Sequence, residues 1–592
     1  MIKRWRVANP CPADFGGTVG VKESGAILSQ LLWNRGLRSA EEVQNFLQPS
    51  WEDHLHDPNQ FRHMAAAMAR IFVALERGER ITVHGDYDAD GVTGSTVLMT
   101  TLREIERKIA QGPSTPLRFA QDDKLANSLV DFYIPHRDKE GYGLRRETIP
   151  KLQERGTGLI ITVDCGIACV EEIALAKEQG MDTIVVDHHT FGEVLPDGFL
   201  IHPSLPEEGY PFKHLAAVGV AFKFACALLE EARRRGLDIP VGWEKWLLDL
   251  VAIATVTDMV PLIGENRLLE TFGLRVLNRT RRPGLRALIE AAGLTYGEMD
   301  TESVGFAIGP RLNAAGRMDH ASLALRLLLT ETEIEARTLA MELERCNRER
   351  QEATKRMMEE AERELPATLP KAIVLWKETW SPSLVGLVAG RFVEKFGRPV
   401  VAVGSHEGTW IGSGRSIAAY NITAGMRASG EGILTRVGGH VQACGFALND
   451  ATRLPELSER LVAHATAALS DEQIIPELLI DAEIPLEAVD LALTEQITSL
   501  APFGMGNARP LFVSRGCSIV NADRIGSTKS HLRLTLLTAR GRRVKAIGFK
   551  MGERFSDISI GGSMDLVYHV AVNEWNGSRS AECRIVDFVC IS

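Results

Sequence analysis

Val-His-Gly-Asp-Tyr-Asp-Ala-Asp-Gly, residues 83 to 91, is the stretch that decides the predicted fold. A short β-type run ends here in polar side chains at alternate positions, which share one side while strand geometry lasts. Gly91 then lets the chain turn into a helix. The same form, a β-type or apolar run followed by a carboxylate, recurs as Thr-Val-Asp-Cys-Gly (162 to 166), Val-Val-Asp-His-His (185 to 189) and Ala-Thr-Val-Thr-Asp (254 to 258).

Carboxylates beside buried strands need partners. An unpaired buried carboxylate costs several kcal/mol or becomes protonated, so several that converge indicate bound cations. A set of carboxylate and imidazole without cysteine pairs suits Mn²⁺ or Mg²⁺ better than structural zinc. An Asp-rich calcium loop is the alternative for the first segment, but no Glu follows at its twelfth position and a strand precedes it.

From about residue 80 to 330, β-branched runs alternate with helical stretches such as Cys169–Gln179. This alternation predicts a parallel α/β sheet, in which ligands gather at the carboxyl ends of the strands. The first three acidic segments would lie at that edge. We predict that Asp258 ends the helical run Leu247–Val256.

Residues 331–366 have apolar positions at helical spacing and a densely charged opposite face, which predicts one long connecting helix. The alternative is a coiled-coil partner site. A second α/β domain is predicted over 367–470, and antiparallel β-strands over 471–592, so that the first domain takes up 1–330.

The composition of the 592 residues, 45% apolar and 24% charged, is that of a globular protein and excludes disordered and fibrous classes. The net charge of −10 argues weakly against proteins that coat duplexes. It says little about a channel, because bound cations reverse the local sign at an acidic site.

Nine scattered cysteines without a C-x-x-C pair fit a reducing compartment. The N-terminus lacks the apolar run of a signal peptide, and no stretch offers about 18 apolar residues for a membrane span. We therefore expect a soluble protein of the cytoplasm.

These motifs together resemble the DHH phosphoesterase superfamily. Further along the chain, four segments extend the likeness to the RecJ family of bacterial single-strand-specific 5′ to 3′ DNA exonucleases. They are Gly-Pro-Arg-Leu-Asn-Ala-Ala-Gly-Arg-Met (309 to 318), Gly-Ser-Gly-Arg-Ser-Ile (412 to 417), Gly-Gly-His (438 to 440) and Pro-Phe-Gly-Met-Gly-Asn (502 to 507). Each motif alone has moderate specificity, whereas the ordered set, which covers nearly the whole chain, is highly specific.

The resemblance implies a fold and a set of ligands. The fold is a parallel-sheet DHH domain, a long helix, an α/β DHH-associated domain and a C-terminal β-barrel of the oligonucleotide-binding (OB) type. Asp164 would bridge two divalent cations, Mn²⁺ or Mg²⁺. The resemblance implies that His84 and Asp88 would complete the ligands of one cation, and that Asp90, His188 and Asp258 would surround the other.

Three more positions are implied to act beside the cations. His189 matches the residue expected to touch the scissile phosphate, while Asp187 and Asp86 read better as groups that orient ligands than as ligands themselves. Two cations about 3.5–4 Å apart are the usual device for hydrolysing phosphate esters.

Substrate contacts are predicted from small, polar and basic segments. Arg311, Asn313 and Arg317 lie in a glycine-flanked loop suited to gripping phosphate, with a structural turn bearing surface arginines as the alternative. Ser413 and Arg415 between glycines suit a terminal or penultimate phosphate. His440 belongs to the segment that resembles the DHH-associated domain.

A narrow cleft would admit one strand and exclude a duplex about 20 Å wide. The OB-like domain would guide the strand, with His531, Phe549 and Trp575 as candidates for base stacking. The alternative is that these three belong to the core of that domain.

The chain departs from the family pattern in three places. Trp-Ser-Pro-Ser-Leu (380 to 384) stands where Trp-His-x-Gly-Val is usual, His202 stands where Asn is usual, and residues 111 to 128 look like a polar insertion. At the first departure, both the imidazole and the flexible glycine of the family pattern are missing.

The resemblance implies a single-strand DNA exonuclease that releases mononucleotides in DNA repair and recombination. Its partners would be single-stranded DNA, a single-strand-binding protein and a helicase, and the chain is expected to be a monomer. A hydrolase of small substrates such as oligoribonucleotides, cyclic dinucleotides or pyrophosphate is one alternative. A non-catalytic single-strand-binding module is the other.

Overall fold

The structure is a computed structural model that describes residues 3–20, 25–111, 128–575 and 577–591. The predicted polar insertion lies outside the described residues except at its two ends. The side chain of Trp575, a predicted stacking residue, also lies outside them.

The elements are numbered along the chain. The strands are β1 Arg4–Val7, β2 Arg80–Gly85, β3 Val130–Tyr133, β4 Thr157–Val163, β5 Asp182–Val186, β6 Phe199–Ile201, β7 Ile373–Trp376, β8 Val400–His406, β9 Thr409–Arg415, β10 Arg436–Gly439, β11 Ala443–Leu448, β12 Glu477–Ile480, β13 Ala482–Glu483, β14 Phe512–Ile525, β15 His531–Leu537, β16 Arg543–Gly548, β17 Ser563–Trp575 and β18 Ser578–Ile591. The helices are α1 Phe15–Thr18, α2 Gly25–Asn34, α3 Ala40–Leu47, α4 Trp51–His54, α5 Met64–Arg77, α6 Ala89–Ala110, α7 Thr148–Glu154, α8 Val170–Glu178, α9 Ala217–Arg234, α10 Leu248–Thr257, α11 Gly264–Leu277, α12 Pro283–Ala291, α13 Thr301–Ser303, α14 Gly309–Met318, α15 Ser322–Leu329, α16 Glu333–Glu364, α17 Pro382–Phe396, α18 Ile422–Ser429, α19 Leu454–Ala468 and α20 Leu491–Thr498.

The described residues form two compact units. The first contains His56–Val260 and Phe272–Pro476; the second contains the described residues up to Leu55, Pro261–Thr271 and the chain from Glu477 onward.

In the first unit, the predicted parallel sheet is confirmed, with strand order β3-β2-β4-β5-β6 and every pairing parallel. The central strands are buried apolar runs, as expected for a sheet covered on both faces. Strand order reverses between β2 and β4, and ligands bind at such a switch point. Asp86, Asp164 and Asp187 follow directly after β2, β4 and β5.

The predicted long helix is present as α16. Its buried face includes Leu339, Leu343, Met357 and Ala361, and it packs against α12, α14 and α17. Beyond it, the second sheet has the order β10-β11-β9-β8-β7.

In the second unit, β13-β14-β15-β16-β18-β17 form a barrel that closes because β14 also pairs with β17. The N-terminal segment, predicted within the first domain, belongs to this unit. Strand β1 pairs in parallel with β12, and Leu31, Leu32 and Phe46 share a core with Phe512 and Phe588 of the barrel. The sequences of short helices such as α2 and α3 do not indicate against which hydrophobic core the helices pack, so this placement could not be predicted.

Among the described residues, no helix has both the length and the apolar character needed to cross a membrane.

Candidate metal centre

The site begins where β2 meets α6. Asp88 caps α6, its carboxylate accepting hydrogen bonds from the amides of Asp90 (2.9 Å) and Gly91 (3.2 Å). A Cβ atom at Gly91 would lie 2.6 Å from the carbonyl oxygen of Asp86, so only glycine allows this turn. The turn therefore brings Asp86, Asp88 and Asp90 to one end of the sheet.

Asp164 follows β4 in a left-handed backbone conformation, with φ of 61°. This conformation costs a non-glycine residue about 1–2 kcal/mol. The Asp164 amide donates to Val186 O at 2.9 Å, which continues the β4–β5 ladder by one bond. The side chain is buried and its Oδ1 has no hydrogen-bond partner in the described structure. Strain of this kind is typical of functional positions.

His188 Nε2 lies among three carboxylates. It is 3.4 Å from Asp164 Oδ1, 3.6 Å from Asp258 Oδ2 and 3.8 Å from Asp90 Oδ2. These distances are too long for good hydrogen bonds, and the space between the four atoms suits a shared cation. Burial is the main cause that lowers the pKa of His188 to about 4, so the ring is neutral and able to ligate.

Asp90 is held from behind by the start of α9. The amides of Ala217 and Val218 donate to its two oxygens, each at 2.8 Å. Burial, followed by the charge of Asp88, nevertheless raises its pKa to about 7.

Burial and neighbouring charges also raise the pKa values of three other carboxylates. Burial first, then neighbouring carboxylates, raises the pKa values of Asp86, Asp164 and Asp258 well above their usual range. Oδ1 of Asp86, like Oδ1 of Asp164, has no hydrogen-bond partner among the described residues. A divalent cation would neutralise the repulsion between the carboxylates and give their unpaired oxygens a partner. These residues therefore fit Mn²⁺ or Mg²⁺.

Potential ligand atoms within 4.8 Å of one another define the centre. Among the described residues they form three groups: Asp86, Asp88 and Asp164; Asp90, His188 and Asp258; and Asp164, His188 and His189. Asp164 and His188 each belong to two of the groups. The bridging role of Asp164 stays a prediction.

His84 is absent from those groups, although the sequence predicted it as a ligand. Its ring is fully buried, stacks on Tyr133 with centroids 5.6 Å apart, and has Nδ1 at 3.8 Å from Cys165 Sγ. Asp86, predicted only to orient a ligand, stands in the group beside Asp88. Strand β2 ends at Gly85, so His84 lies within the strand and Asp86 lies past its end. His84 Nε2 is buried without a hydrogen-bond partner among the described residues, and its role as a ligand stays a prediction.

Asp187 holds His189. Asp187 Oδ1 lies 2.8 Å from His189 Nδ1 and also accepts from the amides of His188 and His189. Burial alone would raise the pKa of Asp187, but the bond and charge of His189 outweigh it and bring the pKa to about 2. Burial likewise opposes protonation of His189, yet Asp187 and nearby carboxylates raise the pKa of His189 overall.

The predicted phosphate-gripping loop is the helix α14, preceded by a π-helical segment, Val304–Ile308. Arg311 pairs with Glu344 at 2.6 Å, and Asn313 Oδ1 accepts from the amide of Ala89 at 2.7 Å. Arg317 donates to Ser383 O at 2.7 Å. Asn313 thus supports the turn into α6.

Ser413 and Arg415 lie on β9, and Arg415 donates to Ser413 Oγ at 2.7 Å. A Cβ atom at Gly386 of α17 would come within 3.2 Å of both side chains. His440 is exposed beyond the end of β10, where its carbonyl accepts from Thr423 Oγ1.

In the second unit, the rings of His531 and Phe549 pack edge to face with centroids 5.5 Å apart. Phe549 is 58% exposed, which leaves its ring available for stacking.

Three residues near the site were missed from the sequence. Tyr142 contacts both Asp164 and His189, and its flanking glycines were the available signal. Arg137 lies 4.5 Å over the ring of Tyr87. His202, noted only as a departure, donates from Nε2 to His189 O at 2.8 Å.

Known proteins share these domains. Residues 80–255 match the DHH family N-terminal domain, 369–467 the DHHA1 domain and 480–587 the RecJ OB domain. The single-stranded-DNA-specific exonuclease RecJ of Bacillus subtilis is 37% identical over 99% of this chain and 70% of its own length. This chain belongs to the RecJ family.

RecJ of Thermus thermophilus is 34% identical over 99% of this chain and 78% of its own length. The crystal structure of RecJ in complex with Mn²⁺ from Thermus thermophilus superposes with a TM-score of 0.80 and 32% identity, covering 99% of this chain and 79% of that one. A structure of RecJ with Mg²⁺ from the same source superposes with a TM-score of 0.74 and 30% identity, covering 99% of this chain and 78% of that one. The predicted fold of this RecJ-family chain, with its C-terminal OB domain, is confirmed.

Proposed function

We propose that this protein is a single-stranded-DNA-specific exonuclease that degrades from the 5′ end to mononucleotides, in DNA repair and recombination. The observation that carries the proposal is the convergence of Asp90, Asp164, His188 and Asp258 at the sheet edge of a chain in the RecJ family. Two divalent cations, Mn²⁺ or Mg²⁺, would be held by two groups of ligands, and we assign Asp164 to both. Asp86 replaces His84 beside Asp88 in this assignment.

Bound divalent cations would lower the pKa of an attacking water and neutralise the charge of the phosphodiester. The chain's own residues supply the geometry. The left-handed turn at Asp164 and the amides of α9 behind Asp90 fix the carboxylates before substrate arrives. Preorganised charge of this kind costs no rearrangement during the reaction.

His189 is assigned to the scissile phosphate. Its Nδ1 is engaged by Asp187, so Nε2 is the ring nitrogen left to donate to a phosphate oxygen. The raised pKa of His189 favours the protonated, donating ring. Cys165, fully buried with a raised pKa, is unsuited to act as a nucleophile.

Several arginine side chains near the centre support the binding of a polyanion. Burial, then the charges of Arg137, Arg350 and Arg415, lowers the pKa of Arg317 to about 9. Among the described residues, Arg137, Arg317 and Arg415 form no ion pair with a carboxylate. We assign Arg317, Ser413 and Arg415 to substrate phosphates, with Arg311 and His440 at the margin, and Phe549 with His531 to base stacking in the OB domain.

A hydrolase of small phosphate substrates is the second candidate, because the cation site alone does not distinguish such an enzyme from an exonuclease. The OB domain favours a polymer, because a small substrate needs no strand-guiding module. For partners, we propose single-stranded DNA as substrate, with a single-strand-binding protein and a helicase as further partners. A monomer in the cytoplasm is the state we propose.

The test is a time course on single-stranded DNA labelled at the 5′ or the 3′ end, with Mn²⁺, Mg²⁺ or chelator and a blunt duplex as control. We expect immediate mononucleotide release from the 5′ label alone, lost with chelator and absent on the duplex. Mononucleotide release from the 3′ label first would reverse the proposed polarity. Inert DNA beside turnover of dinucleotides would move the protein to the small-substrate class.

A further inference from the structure

The hydroxyl of Tyr142 contacts two groups of the metal centre at once. Its oxygen lies 2.9 Å from the backbone carbonyl oxygen of Asp164 and 3.2 Å from Nδ1 of His189. The Tyr142 and His189 rings meet nearly edge to face, with centroids 5.7 Å apart.

The direction of these hydrogen bonds follows from proton counting. A carbonyl oxygen only accepts, so the single phenol proton is donated to Asp164. The phenol oxygen can then only accept from Nδ1–H of His189, whose single proton is shared between Asp187 Oδ1 at 2.8 Å and, on the longer side, the phenol oxygen at 3.2 Å. Tyr142 and Asp187 therefore select the same form of the ring, with a proton on Nδ1.

The bond to Asp164 falls on the one strained residue of the centre. With φ of 61°, Asp164 turns away from β4, and its carbonyl leaves the strand ladder. Tyr142 gives that carbonyl a partner in the left-handed conformation. The hydroxyl thus stabilises the backbone geometry that places the side chain between the two ligand groups.

The surrounding loop is built to hold the phenol in place. Gly141 and Gly143, on either side of Tyr142, have φ of 78° and 82°, which side chains rarely adopt. Glu140 anchors the loop by accepting from Tyr133 Oη at 2.5 Å, from the amide of His136 at 2.8 Å and from Lys151 Nζ at 2.7 Å.

We propose that Tyr142 is a positioning residue for phosphodiester hydrolysis, whose hydroxyl ties the Asp164 backbone to the His189 ring and fixes both. It acts through these two residues rather than on the DNA. The inference rests on the proposed function, since it assigns Asp164 to the cations and His189 to the phosphate.

The test compares Tyr142→Phe, which removes only the hydroxyl, with Tyr296→Phe as a matched control. Tyr296 donates its hydroxyl to Thr280 O at 3.1 Å, away from the centre. For Tyr142→Phe we expect kcat on single-stranded DNA to fall roughly tenfold with KM changed by less than about twofold, as for loss of one hydrogen bond used in the transition state. The control should match the parent protein.

A second readout does not depend on turnover. In a Mn²⁺ titration followed by thermal shift, we expect the apparent affinity of Tyr142→Phe for Mn²⁺ to be weaker by about threefold to tenfold. The reason is that Asp164 is less firmly held in this variant. If the parent protein proves inactive on DNA, the proposed function fails while this titration still tests Tyr142.

Two results would overturn the inference. A raised KM with unchanged kcat would make Tyr142 a substrate contact. Unchanged kcat together with unchanged Mn²⁺ affinity would reduce the hydroxyl to a structural detail.

Discussion

Ser383 Oγ donates a hydrogen bond of 2.5 Å to Asp138 Oδ1, which joins helix α17 to the loop that carries Tyr142. The carbonyl of the same serine accepts from Arg317 at 2.7 Å. Ser383 occupies a position where the family pattern has glycine, which could not make the first of these bonds. The departure noted in the sequence therefore adds a link between the DHH and DHHA1 domains.

Ser383→Ala should lower the free energy of unfolding by about 1–3 kcal/mol, because the side chain of Asp138 loses a hydrogen-bond donor. Thermal unfolding of the whole chain measures it. In an Asp138→Ala background the same substitution should cost clearly less. Equal costs in both backgrounds would show that the two side chains are not coupled.

Asp164→Ala should abolish hydrolysis in Mg²⁺ or Mn²⁺ while leaving the fold intact, because the proposed bridging carboxylate is lost. Steady-state assays and circular dichroism measure the two effects. Removing a carboxylate from the acidic cluster also relieves repulsion, so the cation-free variant should be at least as stable as the parent. Substantial residual activity would contradict the bridging role.

Cation affinity should rise with pH. Burial and mutual repulsion raise the pKa values of Asp86, Asp164 and Asp258 and bring that of Asp90 to about 7, so the cation-free folded protein retains protons that a bound cation must displace. Mn²⁺ should therefore raise the melting temperature more at pH 8 than at pH 6. A stabilisation independent of pH would show that these carboxylates are already ionised.

Glu270→Gln should stabilise the protein at neutral pH. Glu270 on α11 is fully buried, and neither oxygen has a hydrogen-bond partner among the described residues. Burial raises its pKa well above 4.5, so the folded state binds more protons than the unfolded state above that pH. Stability is then lost as pH rises from about 4.5 toward the folded pKa.

The gain from Glu270→Gln should accordingly shrink as the pH is lowered toward 4, where the parent carboxyl is protonated in both states. Melting temperatures of the two proteins across pH 4 to 8 measure this. A difference that does not change with pH would mean that the carboxyl is not protonated by folding.

The sheet edge could be predicted from sequence because apolar runs that end in carboxylates specify both the strand and the reason for its end. The choice between His84 and Asp86 as the ligand beside Asp88 could not, because both lie on the same side of an extended segment. The geometry groups Asp86 with Asp88 and Asp164, and the role of His84 as a ligand stays a prediction.

The partners of the arginine side chains could not be predicted from the sequence either. Arg311 and Arg317 look alike in the motif, yet one pairs with Glu344 and the other reaches the carbonyl of Ser383, residues 33 and 66 positions away. The glycines on either side of Tyr142 marked its loop, but its contacts with Asp164 and His189 arise only when separate strands of one sheet come together.

The pairing of β1 with β12 has a consequence for synthesis. Arg4–Val7 leaves the ribosome long before its partner Glu477–Ile480, which follows roughly 470 residues later. At about 5–20 residues per second, this edge waits on the order of half a minute or more with its hydrogen bonds unmade. A segment made early is thus among the last to acquire its native neighbours, and during that interval its unpaired backbone groups are open to association with other chains.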